Sequence, residues 1–77
     1  MTFIERASEL EICYVSTGFI KDIKFDICNV DVTETELVLS DLDYCEIRLP
    51  LNNLPILYED DSTAMEVWQN DSIRFEF

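Results

Sequence analysis

Between Ile20 and Pro50 apolar residues recur at every second position, and that alternation breaks phase once. Ile23, Phe25 and Ile27 share one side, with Lys24 and Asp26 on the other. From Cys28 onward the inward phase passes to Cys28, Val30 and Val32, while Asn29 and Asp31 point out. A period of two is the signature of a half-buried strand. Two adjacent inward residues within it require a β-bulge or a sharp bend, by which one long strand serves both halves of a small barrel. Two more alternating runs follow, Glu36 to Ser40 and Tyr44 to Leu49, the latter with Cys45, Ile47 and Leu49 inward. Thr33-Glu34 and Asp41-Leu42-Asp43 separate them as turns, so the stretch reads as a three-stranded antiparallel meander.

The flanking segments read as material that closes a core against that meander. Thr2 and Glu5 stand at capping-box spacing, and Phe3, Ile4, Ala7 and Leu10 fall on one helical face, which predicts a short N-terminal helix over Thr2 to Leu10. From Leu10 to Val15 the period shifts to two, and Gly18, the only glycine, is expected to supply positive φ for a turn. Leu51 to Leu57 carries Asn52-Asn53 and Pro55 and predicts an irregular or 3₁₀ turn. Thr63 to Gln69 fits either a capped helix or a strand. The strand is preferred because Met65 and Val67 alternate with Glu66 and Trp68, and Gln69-Asn70-Asp71-Ser72 is turn chemistry before the strand Ile73 to Phe77. The expected fold is one mainly β domain spanning residues 1–77, a small antiparallel sheet or partly open barrel of five to six strands with that short helix.

A chain of 77 residues buries only about 60% of the surface its unfolded form exposes, so its core is marginal without help. Seventeen Asp and Glu against five Lys and Arg give a net charge of −12. Solubility asks for a magnitude of only about 2–8 in a small domain, and the excess repels itself. Such a balance excludes nucleic acid as a direct ligand and anionic membrane surfaces, and favours a basic protein or cations. The N-terminus has no basic start followed by an apolar run, and no stretch is apolar for the length of a membrane span. Cys13, Cys28 and Cys45, without a CxxC pair, then read as small hydrophobes of a reducing, cytoplasmic compartment.

The chemistry of catalysis is missing. The chain has no histidine, which removes imidazole bases, triads and Cys/His zinc sites. Its cysteines sit among acids and apolar residues, surroundings that raise a thiol's pKa. No glycine-rich phosphate loop occurs. No cofactor and no enzymatic activity are expected. Glu59, Asp60 and Asp61 with Asp71, or Asp41 with Asp43, could hold a hard cation, but none matches a calcium loop, and a solvated acidic loop with turn-forming aspartates is the better reading. Tyr14 and Tyr58 read as core or core-rim residues. Tyr44 and Trp68 fall on the outward phase of their strands, so each is a candidate interface anchor.

The outward carboxylates Asp22, Asp26, Asp31, Glu36, Glu46 and Glu76 lie on strands expected to neighbour one another. Residues two apart on a strand are about 6.8 Å apart and adjacent strands about 4.8 Å, a lattice comparable to the phosphates of nucleic acid. With Glu59, Asp60, Asp61, Tyr44 and Trp68 they form the expected partner-binding set. In size, acidity and want of catalytic residues the whole chain resembles the small inhibitors that phages make against host nucleases, such as anti-CRISPR proteins and nucleic-acid mimics. That resemblance is compositional and implies a non-enzymatic inhibitor, in the cytoplasm of the host cell, occupying a basic nucleic-acid-binding surface. The alternative is a structural or regulatory β module that works as a homo-oligomer or as a subunit of an assembly, motivated by the marginal core and the apolar C-terminus.

Overall fold

The computed structural model describes residues 1–68 and 71–77. It is mainly β, with one short helix, α1 (Phe3–Ala7), and eight strands among the described residues. In chain order these are β1 (Ile12–Ser16), β2 (Ile23–Asp26), β3 (Asn29–Val32), β4 (Glu36–Ser40), β5 (Glu46–Pro50), β6 (Ile56–Tyr58), β7 (Thr63–Trp68) and β8 (Asp71–Glu76). They form two antiparallel sheets, one of five strands in the order β2-β1-β8-β7-β6 and one of three in the order β3-β4-β5. The sheets do not close into a barrel.

The phase break at Ile27-Cys28 is where the chain changes sheets. Phe25 and Ile27 are buried as one phase requires, and β2 stops at Asp26. The Ile27 amide donates to the Glu11 carbonyl at 3.3 Å, and the Cys28 amide donates to the Ser40 carbonyl at 2.9 Å. Neighbouring amides thus serve different sheets, so what reads as one bent strand is two strands with a handover between them. That division, together with β6 where an irregular turn is expected, accounts for eight strands in place of five to six. The meander itself is present as β3-β4-β5, with Val30, Leu39 and Ile47 in one row across it and Val32, Leu37 and Leu49 in the next.

One hydrophobic cluster lies between the sheets. Cys13, Val15, Phe25, Ala64, Ile73 and Phe75 reach it from the five-stranded sheet, and Leu37, Leu39 and Leu49 from the other. Helix α1 closes one end. Thr2 Oγ1 accepts the Glu5 amide at 3.2 Å, the N-cap bond its spacing predicts, and donates to the Glu5 carboxylate at 3.1 Å, so the carboxylate takes the Thr2 hydroxyl where a full capping box would take the Thr2 amide. Phe3 packs on Phe75 with ring centroids 5.1 Å apart and on Phe77 at 6.0 Å. The helix ends earlier than expected, and Leu10 takes φ 56° and stays exposed. Arg6 pins the N-terminal segment. It pairs with Glu9 and Glu11, lies 4.7 Å over the Phe77 ring and donates from Nε to the Asp61 carbonyl at 3.0 Å.

Several inward and outward assignments change. Ile23 and Val32 sit at strand ends and are exposed, and Cys45 lies in the turn before β5, exposed as well. Tyr14 and Tyr58 are on the outer face of the five-stranded sheet and about half exposed, so neither is a core residue. Gly18 does not have positive φ. Its requirement is space: a Cβ there would stand 2.5 Å from Asp71 Oδ1, the atom that accepts the Gly18 amide at 3.1 Å. Asp71 and Ser72 open β8 instead of belonging to the expected turn, and Gln69 and Asn70, where the rest of that turn is expected, lie outside the described residues.

Candidate functional site

Three of the expected partner-binding acids come together on the outer face of the three-stranded sheet. In the register of that sheet Asp31 stands opposite Val38, which stands opposite Arg48, while Glu46 faces Ser40 and Glu36 faces Pro50. Leu37 and Leu39 are committed to the core, so the pleat turns Glu36, Val38 and Ser40 outward. Arg48 lies between two of the acids, 3.3 Å from Glu36 and 3.3 Å from Glu46. Those carboxylates, Glu46 first, hold its guanidinium above the usual arginine pKa.

The turns at the two ends of this sheet add more negative charge. Glu34 lies in the turn between β3 and β4, and Asp41 and Asp43 in the turn between β4 and β5. Asp41 Oδ1 accepts the amides of Asp43 and Cys45, each at 2.9 Å, the side-chain-to-backbone pattern that makes aspartate a turn former. Tyr44 has φ 62° and is 91% exposed. It stands in the turn and not on a strand, beside the exposed Leu42 and among acids. Face and turns together carry Asp31, Glu34, Glu36, Asp41, Asp43 and Glu46 against the single cation Arg48.

The other expected members lie elsewhere. Asp26 and Glu76 are on the outer face of the five-stranded sheet, paired in register with Ile12 and Tyr14. Asp22 precedes β2 with φ 55° and is tied to Ser16, whose Oγ accepts the Asp22 amide at 3.0 Å. Of the six lattice acids Asp22 lies on no strand and the other five are divided between two sheets, so the single lattice breaks up. Glu59, Asp60 and Asp61 form the β6–β7 turn with φ of 49°, 61° and 65°, three consecutive residues in the left-handed region. Ser62 Oγ donates to the Glu59 carbonyl there at 2.7 Å.

Trp68 is not on the outward phase. β7 pairs with β8 so that Glu66 faces Ile73 and Ala64 faces Phe75, which turns Ala64, Glu66 and Trp68 toward the core. Trp68 remains 40% exposed at the strand end, and its indole N–H donates to Glu66 Oε1 at 2.5 Å. Glu66 is a buried carboxylate, 3% exposed. Its Oε1 also accepts Asn53 Nδ2 at 2.7 Å, while Oε2 has no partner among the described residues. Hydropathy concealed this residue, since glutamate reads as outward. The signal that exposes it is parity: with Ile73 and Phe75 inward, any hairpin turn of even length places Glu66 and Trp68 on the same side as them.

Chemically the surface is one of anionic acceptors. Five of the seventeen carboxylates form ion pairs, with Arg6, Arg48 or Arg74, and the remaining twelve have no basic partner within 4.0 Å among the described residues. Cys13 and Cys28 are held as thiols. Burial pushes Cys13 up to about 11, and burial followed by the nearby Asp26 and Asp41 charges raises Cys28. Among the described residues no three Cys, Asp or Glu side chains converge as metal ligands, and no helix is long and apolar enough to cross a membrane. No family model, curated protein or solved structure matches this chain.

Proposed function

We propose that this protein is a non-enzymatic interaction module that offers the outer face of the three-stranded sheet, with its turns, to a basic surface on a partner protein. The observation that carries this reading is the uneven charge of the fold. Residues 29–50 hold six carboxylates and one arginine, on a face whose backbone is fixed by two full strand pairings. A rigid array of anions displaces counterions from a cationic groove much as a run of phosphates does, so a nucleic-acid-binding surface is the fitting target and the module acts as its inhibitor. Tyr44, fully presented beside the acids, supplies the aromatic contact that such interfaces concentrate their energy on.

The test is a titration of the labelled protein against a panel of basic nucleic-acid-binding proteins at about 50 and about 300 mM salt, with duplex DNA as competitor. Affinity is expected to fall by about tenfold or more at the higher salt, and DNA to compete. Neutralising the face with Asp31→Asn, Glu36→Gln, Asp43→Asn and Glu46→Gln together should weaken binding at least as much as the salt does. Binding that ignores both salt and those substitutions, or no binding across the panel, would refute the reading.

A further inference from the structure

The outer face of the five-stranded sheet differs from the rest of this anionic molecule. Strand register places Ile12 and Tyr14 of β1, Met65 and Val67 of β7, and Ile56 and Tyr58 of β6 on that one side. Most are exposed, Ile56 and Val67 the most so among these six. The charged groups of the same side nearly balance, with Glu59 at its margin beside Tyr58, Met65 and Arg74. Lys24 and Arg74 stand against Asp26 and Glu76, with Tyr14 between Lys24 on one strand and Glu76 on the other. Lys21 and Asp22 adjoin it together, lining a shallow groove with Ser16, Met65, Ser72 and Arg74. Three of the five cations of the chain are thus gathered where the apolar side chains are. The remaining two, Arg6 and Arg48, are held by their own acids.

We infer that this face seats a second copy of the same chain, outer face to outer face about a two-fold axis. A chain of net charge −12 meets its own copy at least electrostatic cost through the surface where its charges come nearest to cancelling, and this side of the sheet, with Lys21, Lys24 and Arg74 against Asp22, Asp26, Glu59 and Glu76, is that surface. Arg74 and Glu76 stand two residues apart on β8, 3.6 Å between their charged groups. A two-fold lying between the two faces, near β8, exchanges such a pair between copies, arginine to glutamate both ways, as an isologous interface requires. The loop that enters β2 presents Phe19, 92% exposed, at the rim of the same groove, where Gly18 and Lys21 line it. Five strands about 4.8 Å apart and about 17 Å long give a face on the order of 400 Å² in plan. Doubled, that belongs with weak, reversible interfaces, for which a Kd on the order of 10–100 μM is expected.

Sedimentation velocity from about 5 to about 500 μM, spanning that Kd, tests the inference. Monomer should give way to dimer across the series. Raising salt should tighten the dimer severalfold, because screening relieves the repulsion between two like-charged bodies. That is the opposite sign to the salt response of an acidic face on a basic partner. Met65→Glu, at the centre of the face, and Ile56→Lys, on the edge strand, should each abolish the dimer with the strand circular dichroism unchanged. Glu36→Gln with Glu46→Gln, on the other sheet, should leave it intact, so the failure of this inference is separable from failure of the proposed function. A monomer throughout the range, or a dimer that survives both Met65→Glu and Ile56→Lys, would overturn it.

Discussion

The turn Glu59-Asp60-Asp61 should become more stable when its middle residue loses its side chain. Asp60 has φ 61°, and both neighbours are also left-handed. An L-residue held there costs roughly 1–2 kcal/mol, with aspartate at the low end because its short side chain tolerates the region. Glycine removes that penalty but brings more freedom to the unfolded chain, a loss of about 0.4–1 kcal/mol. The net expectation for Asp60→Gly is a stabilisation of about 0.5 kcal/mol, which in a domain of this size raises Tm by roughly 2–4 °C. The control is Glu34→Gly, at a turn residue without positive φ, where only the entropic part survives and Tm should fall by a similar amount. Asp60→Asn separates conformation from charge, since it keeps the left-handed tolerance while removing one of three adjacent acids. Asp60→Val should lower Tm, because a β-branched side chain is a true outlier there. Thermal melts followed by circular dichroism read all four. If Asp60→Gly and Glu34→Gly shift Tm in the same direction, backbone strain is not what the turn stores.

Arg6→Met should destabilise by about 1–2 kcal/mol in chemical denaturation, through the lost contacts to the Asp61 carbonyl and the Phe77 ring. The same variant removes a specific acid sensitivity. Arg6 holds the Glu11 carboxyl below its ordinary value, so their pairing contributes fully above the ordinary glutamate range and is lost as pH falls through the lowered one; the stability difference between wild type and variant should narrow on that descent. Gly18→Ala drives a methyl into Asp71 Oδ1 and should cost about 1–2 kcal/mol, much of it recovered by adding Asp71→Ser, a non-additivity that a double-mutant cycle measures. Glu66→Ala strips the acceptor from Asn53 Nδ2 and Trp68 Nε1 and should cost about 2–4 kcal/mol, accompanied by a change in tryptophan fluorescence. Thiol labelling at pH 8 should modify Cys45 first, Cys28 slowly and Cys13 only on unfolding, in the order of their exposure and with Cys13 pushed up to about 11; early labelling of Cys13 would contradict its burial.

What the sequence disclosed and what it hid divide along physical lines. Period-two runs bounded by Asp and Thr turns located the meander, because side-chain alternation is a local property of a strand. The Thr2–Glu5 cap was legible for the same reason. Which strand lies beside which is not local, and so the division of the lattice acids between two sheets was invisible: Asp26 and Asp31 are five residues apart and belong to different sheets. Leu51 to Leu57 hid β6 because Pro55 and the asparagines mark a turn, while the edge position of β6 tolerates a short, irregular strand. Glu66 and Trp68 were misread by hydropathy at a place where hairpin parity carried the correct answer. Gly18 was read for its backbone freedom when its value lies in its missing methyl. The acids of the small sheet were legible as outward residues, but their partial neutralisation by Arg48 was not, since it depends on three strands standing in register.

The change of sheets at Ile27-Cys28 also sets an order in time. The three-stranded sheet is drawn from one unbroken stretch, residues 29–50, and each of its strands pairs with a sequence neighbour. The five-stranded sheet is completed only when β1 finds β8, Tyr14 opposite Glu76 across sixty-two positions of chain. Closing short loops is entropically cheaper and faster than closing long ones. During synthesis, then, the anionic face can be assembled while β1 is still without its inner neighbour and Phe75 has not yet reached the core. Pulse-labelling hydrogen exchange should find β3–β5 amides protected ahead of those in β1 and β8, and the chain would acquire its charged side before its self-complementary one.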